Sequence, residues 1–231
     1  MALFNNPPTA ARSLRVLALL LGYPDAGLRG HLADLRGALH TERALSASRL
    51  TELDALIASL QRSATLDVES DYVELFDRGR ATSLHLFEHV HGDSRERGPA
   101  MIDLAQTYEK AGLFLGEGEL PDFLPVVLEF TSTQPPREAR AFLAEMAHIF
   151  NAIFAALQQR GSAYASVLGA LLELAGEKAQ PVQIAAEEAI DAIWEEPVVF
   201  DGCSSKGQAR PEQPQPIHIV RKGQPVEGAR T

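Results

Sequence analysis

Apolar residues recur at three- and four-residue intervals along most of the chain, the spacing of helices with one buried face. In Thr9 to Leu21, Leu14, Leu17 and Leu21 share a face, and Val16, Leu19 and Leu20 fill much of the rest, which predicts a deeply buried first helix. Gly22-Tyr23-Pro24-Asp25 breaks it, and Pro24 opens a second helix over Asp25 to Leu39. Leu50, Leu53, Ile57 and Leu60 mark a third, Ala44 to Arg62, and a fourth runs from Asp67 to Phe76. Met101, Leu104, Ala105, Tyr108 and Leu115 outline another that stops at Gly116, and Gly116 to Leu120 reads as a loop. Pro121-Asp122 then starts a helix whose Phe123, Leu124, Val126, Val127, Leu128 and Phe130 are apolar almost all round, so it belongs in the centre. Past Pro135-Pro136, the apolar positions from Phe142 to Leu157 form one stripe ending at Gly161. Tyr164 to Ala175 gives the next helix, and Val182 to Trp194, opened by Pro181, the last.

No strand alternation precedes residue 197, and Ile217-His218-Ile219-Val220 would be a lone strand without a partner. The pattern therefore predicts an all-α single globular bundle of nine or ten helices spanning residues 1–200. Beyond Pro197, Pro, Gln, Gly, Ser and basic residues dominate, and 201–231 reads as a mostly disordered tail.

Composition narrows the function classes. Of 31 acids and 21 bases, residues 201–231 hold 3 and 5, leaving 28 acids and 16 bases, hence −12, on residues 1–200. An acidic body does not suit phosphate backbones, but it suits a basic partner. The single cysteine, Cys203, gives no disulfide framework and agrees with a reducing compartment. The longest apolar run near the N-terminus, Val16 to Leu21, is too short to span a membrane or to serve as a secretory signal, so a cytoplasmic protein without membrane insertion is expected.

Candidate chemistry concentrates in Tyr72 to Gly98, which holds three of the seven histidines and four arginines among large apolar residues. His85 and His89 are four apart, with Glu88 between them, so a small helical metal-dependent enzyme using these three residues is one reading. The His-Glu-x-x-His signature is absent, and histidines near Gly92 also suit a helix end. Nucleophile elbows and phosphate loops are absent from the sequence, which favours a binding protein without cofactor. An acidic all-α body can offer a groove to an amphipathic segment. The structural alternative is that Leu84, Leu86, Phe87 and Val90 complete the core, and spacing alone leaves both open.

The run Tyr72-Val-Glu-Leu-Phe76, followed by Ser83-Leu-His-Leu-Phe-Glu-His-Val-His-Gly92 and Asp93-Ser-Arg-Glu-Arg-Gly98, resembles the NarJ family. These are respiratory nitrate reductase assembly chaperones, relatives of TorD and DmsD. Glu119-Leu-Pro-Asp-Phe-Leu-Pro-Val-Val-Leu-Glu-Phe130 and Glu195-Glu-Pro-Val-Val-Phe200 are also similar to family segments, so the resemblance runs over residues 10–200. It implies an all-helical, non-catalytic chaperone that binds the N-terminal segment of the apo nitrate reductase α subunit. Such a chaperone holds the αβ complex in the cytoplasm for molybdenum cofactor insertion and membrane docking. By the same resemblance the peptide site comprises Tyr72, Leu75, Phe76, His85, Phe87, Glu88, His89, Glu119, Pro121 and Asp122. Leu75, Phe76 and Phe87 are expected to take apolar anchors, and Glu88, Glu119 and Asp122 to face bases. The histidines, with an ordinary pKa near 6.5, are expected to lend binding a pH response.

Overall fold

The computed structural model describes residues 9–92 and 94–180. Eleven α-helices lie within them: α1 (Ala11–Leu20), α2 (Ala26–Gly30), α3 (Leu32–Glu42), α4 (Ala47–Arg62), α5 (Thr65–Phe76), α6 (Leu86–Val90), α7 (Arg97–Lys110), α8 (Leu124–Thr133), α9 (Pro136–Glu145), α10 (Ala147–Gln159) and α11 (Ala165–Ala175). A 3₁₀ turn, Arg80–Thr82, links α5 to α6. Among the described residues the extended pairing is limited to one isolated antiparallel bridge, His85 with Phe123. The all-α expectation holds. The predicted final helix, the boundary at residue 200, the tail and Cys203 lie outside the described residues.

Packing follows the apolar pattern. α1 lies along α8, and α11 packs on α10, α9 and α4. Leu124, Val127 and Leu128 of α8 are fully buried, as are Val167, Leu168, Ala170 and Leu171 of α11. Each such leucine or valine side chain contributes about 1.5–3 kcal/mol by leaving water. α9 and α10 meet at a bend of 62°, so the stripe from Phe142 to Leu157 is two helices. Among the described residues no single helix is long and apolar enough to cross a membrane.

The other departures are local and have identifiable causes. The second predicted helix splits at His31, whose Nδ1 turns back to the Gly27 carbonyl at 2.8 Å. Arg43, at φ 55°, closes α3, and the Ser46 side chain caps α4 by accepting the Arg49 N–H. α7 stops well before Gly116. Gly112, at φ 78°, donates to the Glu109 carbonyl and Leu113 to the Tyr108 carbonyl, each at 2.9 Å, the left-handed stop that glycine supports. Residues 113–120 are thereby released as a loop. The helix expected to start at Pro121-Asp122 begins at Leu124, with Pro125 in its first turn. Residues 121–123 pair with the chain ahead of α6 instead: Leu86 donates to the Asp122 carbonyl at 3.0 Å and Leu124 to the Leu84 carbonyl at 2.9 Å.

Candidate peptide-binding site

The segment carrying Asp122 joins several of the expected site residues. Asp122 is fully buried. Its Oδ2 accepts the Phe87 N–H at 3.2 Å, capping the first turn of α6. Its Oδ1 lies 3.4 Å from His85 Nδ1, and because a carboxylate only accepts, that nitrogen carries a proton. Arg97, the first residue of α7, sits 3.5 Å from Glu88 and 3.8 Å from Asp122. The hydrogen bond that His85 donates to Asp122 raises the His85 pKa above its ordinary value. Partial burial opposes that shift, the charges of Asp122 and Glu88 add to it, and Arg97 lowers it. The His85 ring also leans on Phe123, with ring centroids 5.3 Å apart.

His85, Glu88 and Arg97 face a cavity of about 480 Å³ shared with Phe76, Arg78 and Arg80. His89 turns elsewhere: its Nε2 donates to the Ser83 carbonyl at 2.8 Å. The two histidines therefore serve separate partners. Among the described residues no group of three or more His, Cys, Asp or Glu converges as a metal site would require.

Tyr72 and Phe76 are buried in an aromatic cluster, with ring centroids 4.9 Å apart and Tyr164 against both. The Tyr72 hydroxyl donates to the Leu21 carbonyl at 2.8 Å. Leu75 is half-buried, and its carbonyl accepts the Thr82 hydroxyl. Pro121 is buried, and its carbonyl accepts the Tyr108 hydroxyl at 2.8 Å. Burial raises the Tyr108 pKa well above its ordinary value, and the Asp122 charge adds to the shift. The structure thus brings His85, Phe87, Glu88 and Asp122 together.

Glu119 belongs to a different surface. It is exposed, and its Oε2 accepts the Gly116 N–H at 2.8 Å, closing the inner turn of the 113–120 loop. It borders an apolar groove of about 380 Å³, walled by Leu19 of α1, Leu113 and Phe114 of the loop, and Val126 and Phe130 of α8. Glu129 lies on the rim, and with Leu19 it also borders a neighbouring depression of about 460 Å³ that contains Tyr23, Leu28 and Pro125. Phe114, 80% exposed, and Leu19, 46% exposed, leave large uncovered apolar surface in this groove, and Tyr23, 48% exposed, does so in the neighbouring depression. Sequence periodicity did not single these residues out. The available signal was Phe114 and Leu120 in a glycine-bounded loop, where no helix face exists to bury them.

An all-helical body whose surface offers a largely apolar groove, bordered by Glu119, Glu129 and Arg15, has the form of a binding protein. Residues 38–169 match the family model described as nitrate reductase delta subunit. Over 193 residues the chain is 42% identical to the nitrate reductase molybdenum cofactor assembly chaperone NarJ of Escherichia coli strain K12, covering 79% of this chain and 82% of that one. It is 39% identical to the probable assembly chaperone NarW of the same strain, covering 79% and 80%. A crystal structure described as a candidate redox enzyme maturation protein from Archaeoglobus fulgidus superposes with a TM-score of 0.52 at 19% identity, covering 77% of this chain and all of that one, and so shares the fold. The chain belongs to the NarJ family, whose members are named as assembly chaperones rather than catalysts.

Proposed function

We propose that this chain is a cytoplasmic assembly chaperone dedicated to a respiratory nitrate reductase. It binds the N-terminal segment of the apo α subunit, alone or within the αβ complex, and keeps that subunit competent for molybdenum cofactor insertion and membrane docking. The names of the relatives support the client, and the groove between α1, α8 and the 113–120 loop carries the binding. Its apolar walls and the carboxylates of Glu119 and Glu129 suit a segment with apolar anchors flanked by bases, with Arg15, which donates to the Ser132 hydroxyl, on the same groove. Leu19, Phe114 and Val126 take the anchors. Among the residues expected from the family resemblance, Glu119 meets the peptide directly. Leu75, His85, Phe87, Glu88 and His89, each partly accessible, belong to the other surface, where His85 and Glu88 line a separate cavity, and extend the contact there. Tyr72, Phe76, Pro121 and Asp122, being buried, act by holding these surfaces in place.

Calorimetry with a peptide of roughly the first fifteen residues of the α subunit, long enough for an amphipathic helix, tests this. One-to-one binding is expected. Phe114→Ala should weaken it by about 1–2 kcal/mol, as loss of an apolar anchor does. Glu119→Ala should cost less, about 0–1 kcal/mol, because the pair is exposed. A wild-type chain that ignores the peptide sinks the assignment of client, and variants that both bind like wild type sink the assignment of groove.

A further inference from the structure

The groove and the neighbouring depression lie on one seam. α1 and α8 pack along each other in opposite directions. Arg15 donates through Nε to the Ser132 hydroxyl at 3.1 Å, near the end of α8, whereas Gly22, just past α1, lies with Pro125 at its start. Leu19 and Glu129 line both hollows, so the two meet there. Together they form a track about as long as α8, whose 10 residues span about 15 Å. Its apolar side chains, Phe114 and Val126 on one side of Leu19 and Tyr23 and Leu28 on the other, offer burial to a helix laid in either direction. The charges do not. Arg15 stands at the end nearest Ser132, Glu129 lies midway, and Asp25 stands at the end nearest Pro125. Glu119 borders the groove from the loop, and His31 faces the Asp25 end with its Nδ1 on the Gly27 carbonyl.

We infer that the client segment lies in this track as a helix of fixed direction, its N-terminus toward Asp25 and its last turn on Arg15, and that Arg15 sets that direction. The inference rests on the peptide reading above and adds the orientation of the bound segment. The first turn of a helix presents unpaired N–H groups and a partial positive charge, and the last turn presents unpaired carbonyls and a partial negative one. A segment at the start of a chain also carries its α-amino group, which is largely charged at neutral pH. Laid with its N-terminus toward Asp25, the segment brings its positive end to the carboxylates and its carbonyls to a guanidinium, which only donates. Laid the other way, it sets the α-amino group against Arg15 and its carbonyls against Asp25. Both ends then turn from attraction to repulsion, which amounts to a preference of roughly tenfold. The bond to Ser132 holds the Arg15 guanidinium at its end of the track, and Arg15 and Leu19, four residues apart on α1, share one face.

The test uses the full chain and the α-subunit peptide with a free α-amino group and an amidated C-terminus, so that no artificial carboxylate meets Arg15. A benzophenone side chain is placed near one end of the peptide or the other, and the photo-cross-links are mapped by mass spectrometry. The N-terminal probe should attach around residues 22–28 and the C-terminal probe around Arg15 and residues 131–134. Arg15→Glu makes both ends of the track acidic, so each probe should then attach at both ends and affinity should fall by roughly tenfold. Arg15→Gln, which keeps a donor for Ser132 and loses only the charge, should fold like wild type and lie between the two. A reversed pattern in wild type, or both probes attaching equally at both ends, overturns the direction. An Arg15→Glu variant that keeps the wild-type pattern overturns the role of Arg15. Binding with cross-links at neither end overturns the groove, and a chain that binds no peptide overturns the client reading, each taking the direction with it.

Discussion

Asp122 caps a helix that is not its own. Its carboxylate accepts the N–H of Phe87, 35 residues earlier in the chain, while its backbone carbonyl accepts Leu86. A Pro-Asp pair ahead of an apolar run ordinarily starts the helix that follows it. Here the following helix begins at Leu124 with no side-chain cap, and the carboxylate is spent on α6. The chain thereby joins two distant helix starts at one buried acid, with Arg97 bringing a third.

Removing that acid should cost stability out of proportion to its size. Asp122→Ala leaves the Phe87 N–H without its acceptor and should destabilise by about 1–3 kcal/mol, the usual penalty for an orphaned buried donor. Asp122→Asn retains an acceptor and should cost less. Urea denaturation at neutral pH measures both, and an alanine variant as stable as wild type would show that the cap contributes nothing.

Much of the scaffold was legible in the sequence because burial and helical period agree there. Leu14, Leu17 and Leu21 share a buried face as their spacing requires, and the all-round apolar α8 lies in the core. Less legible were features set by partners far along the chain. Nothing in the run from Phe142 to Leu157 signals a bend, since no glycine or proline interrupts it at Met146. Asp122 reads as a helix start until Phe87 is seen beside it. Tyr72 and Phe76 fall among the expected site residues of a charged stretch, Phe76 as an apolar anchor, and the fold buries both against Tyr164. The groove escaped notice because periodicity finds apolar residues that are buried, whereas Phe114 stands out by remaining uncovered.

Core and rim should respond unequally to truncation within α8. Leu128 is fully buried, whereas Glu129 is exposed and borders the groove. Leu128→Ala should cost about 2–5 kcal/mol through lost burial and a residual cavity. Glu129→Ala should stay within about 0.5 kcal/mol, as exposed substitutions do. Paired urea curves decide this, and equal costs would contradict the central placement of α8.

Alkaline pH should unfold the protein through its tyrosines. Burial raises the pKa of Tyr72, Tyr108 and Tyr164 above the ordinary value near 10. A raised folded-state pKa means that the stabilisation is whole below the unfolded value and is lost as pH climbs toward the folded one. Tyr23, whose pKa partial burial and the Glu69 charge also raise, is 48% exposed and should ionise while the chain remains folded. The other three should ionise only as helical circular dichroism collapses. Tyrosinate absorbance rising to completion before any loss of helix would refute their burial.

Gly112 offers a way to move the groove wall without touching a contact. Its φ of 78° lies in the left-handed region, where a β-carbon crowds its own carbonyl. No atom of another residue beyond its chain neighbours would lie within 4 Å of a β-carbon there, so the cost of a side chain is conformational rather than steric. Gly112→Ala should therefore destabilise by about 1 kcal/mol, and Gly112→Asn by less, because asparagine tolerates this conformation. Since the residue fixes where α7 ends and the loop begins, Gly112→Ala should also weaken peptide binding, with Gly112→Asn recovering much of it. Thermal denaturation and calorimetry on the two variants test the stop. If alanine and asparagine behave alike in both, backbone conformation at Gly112 does not set the position of Phe114.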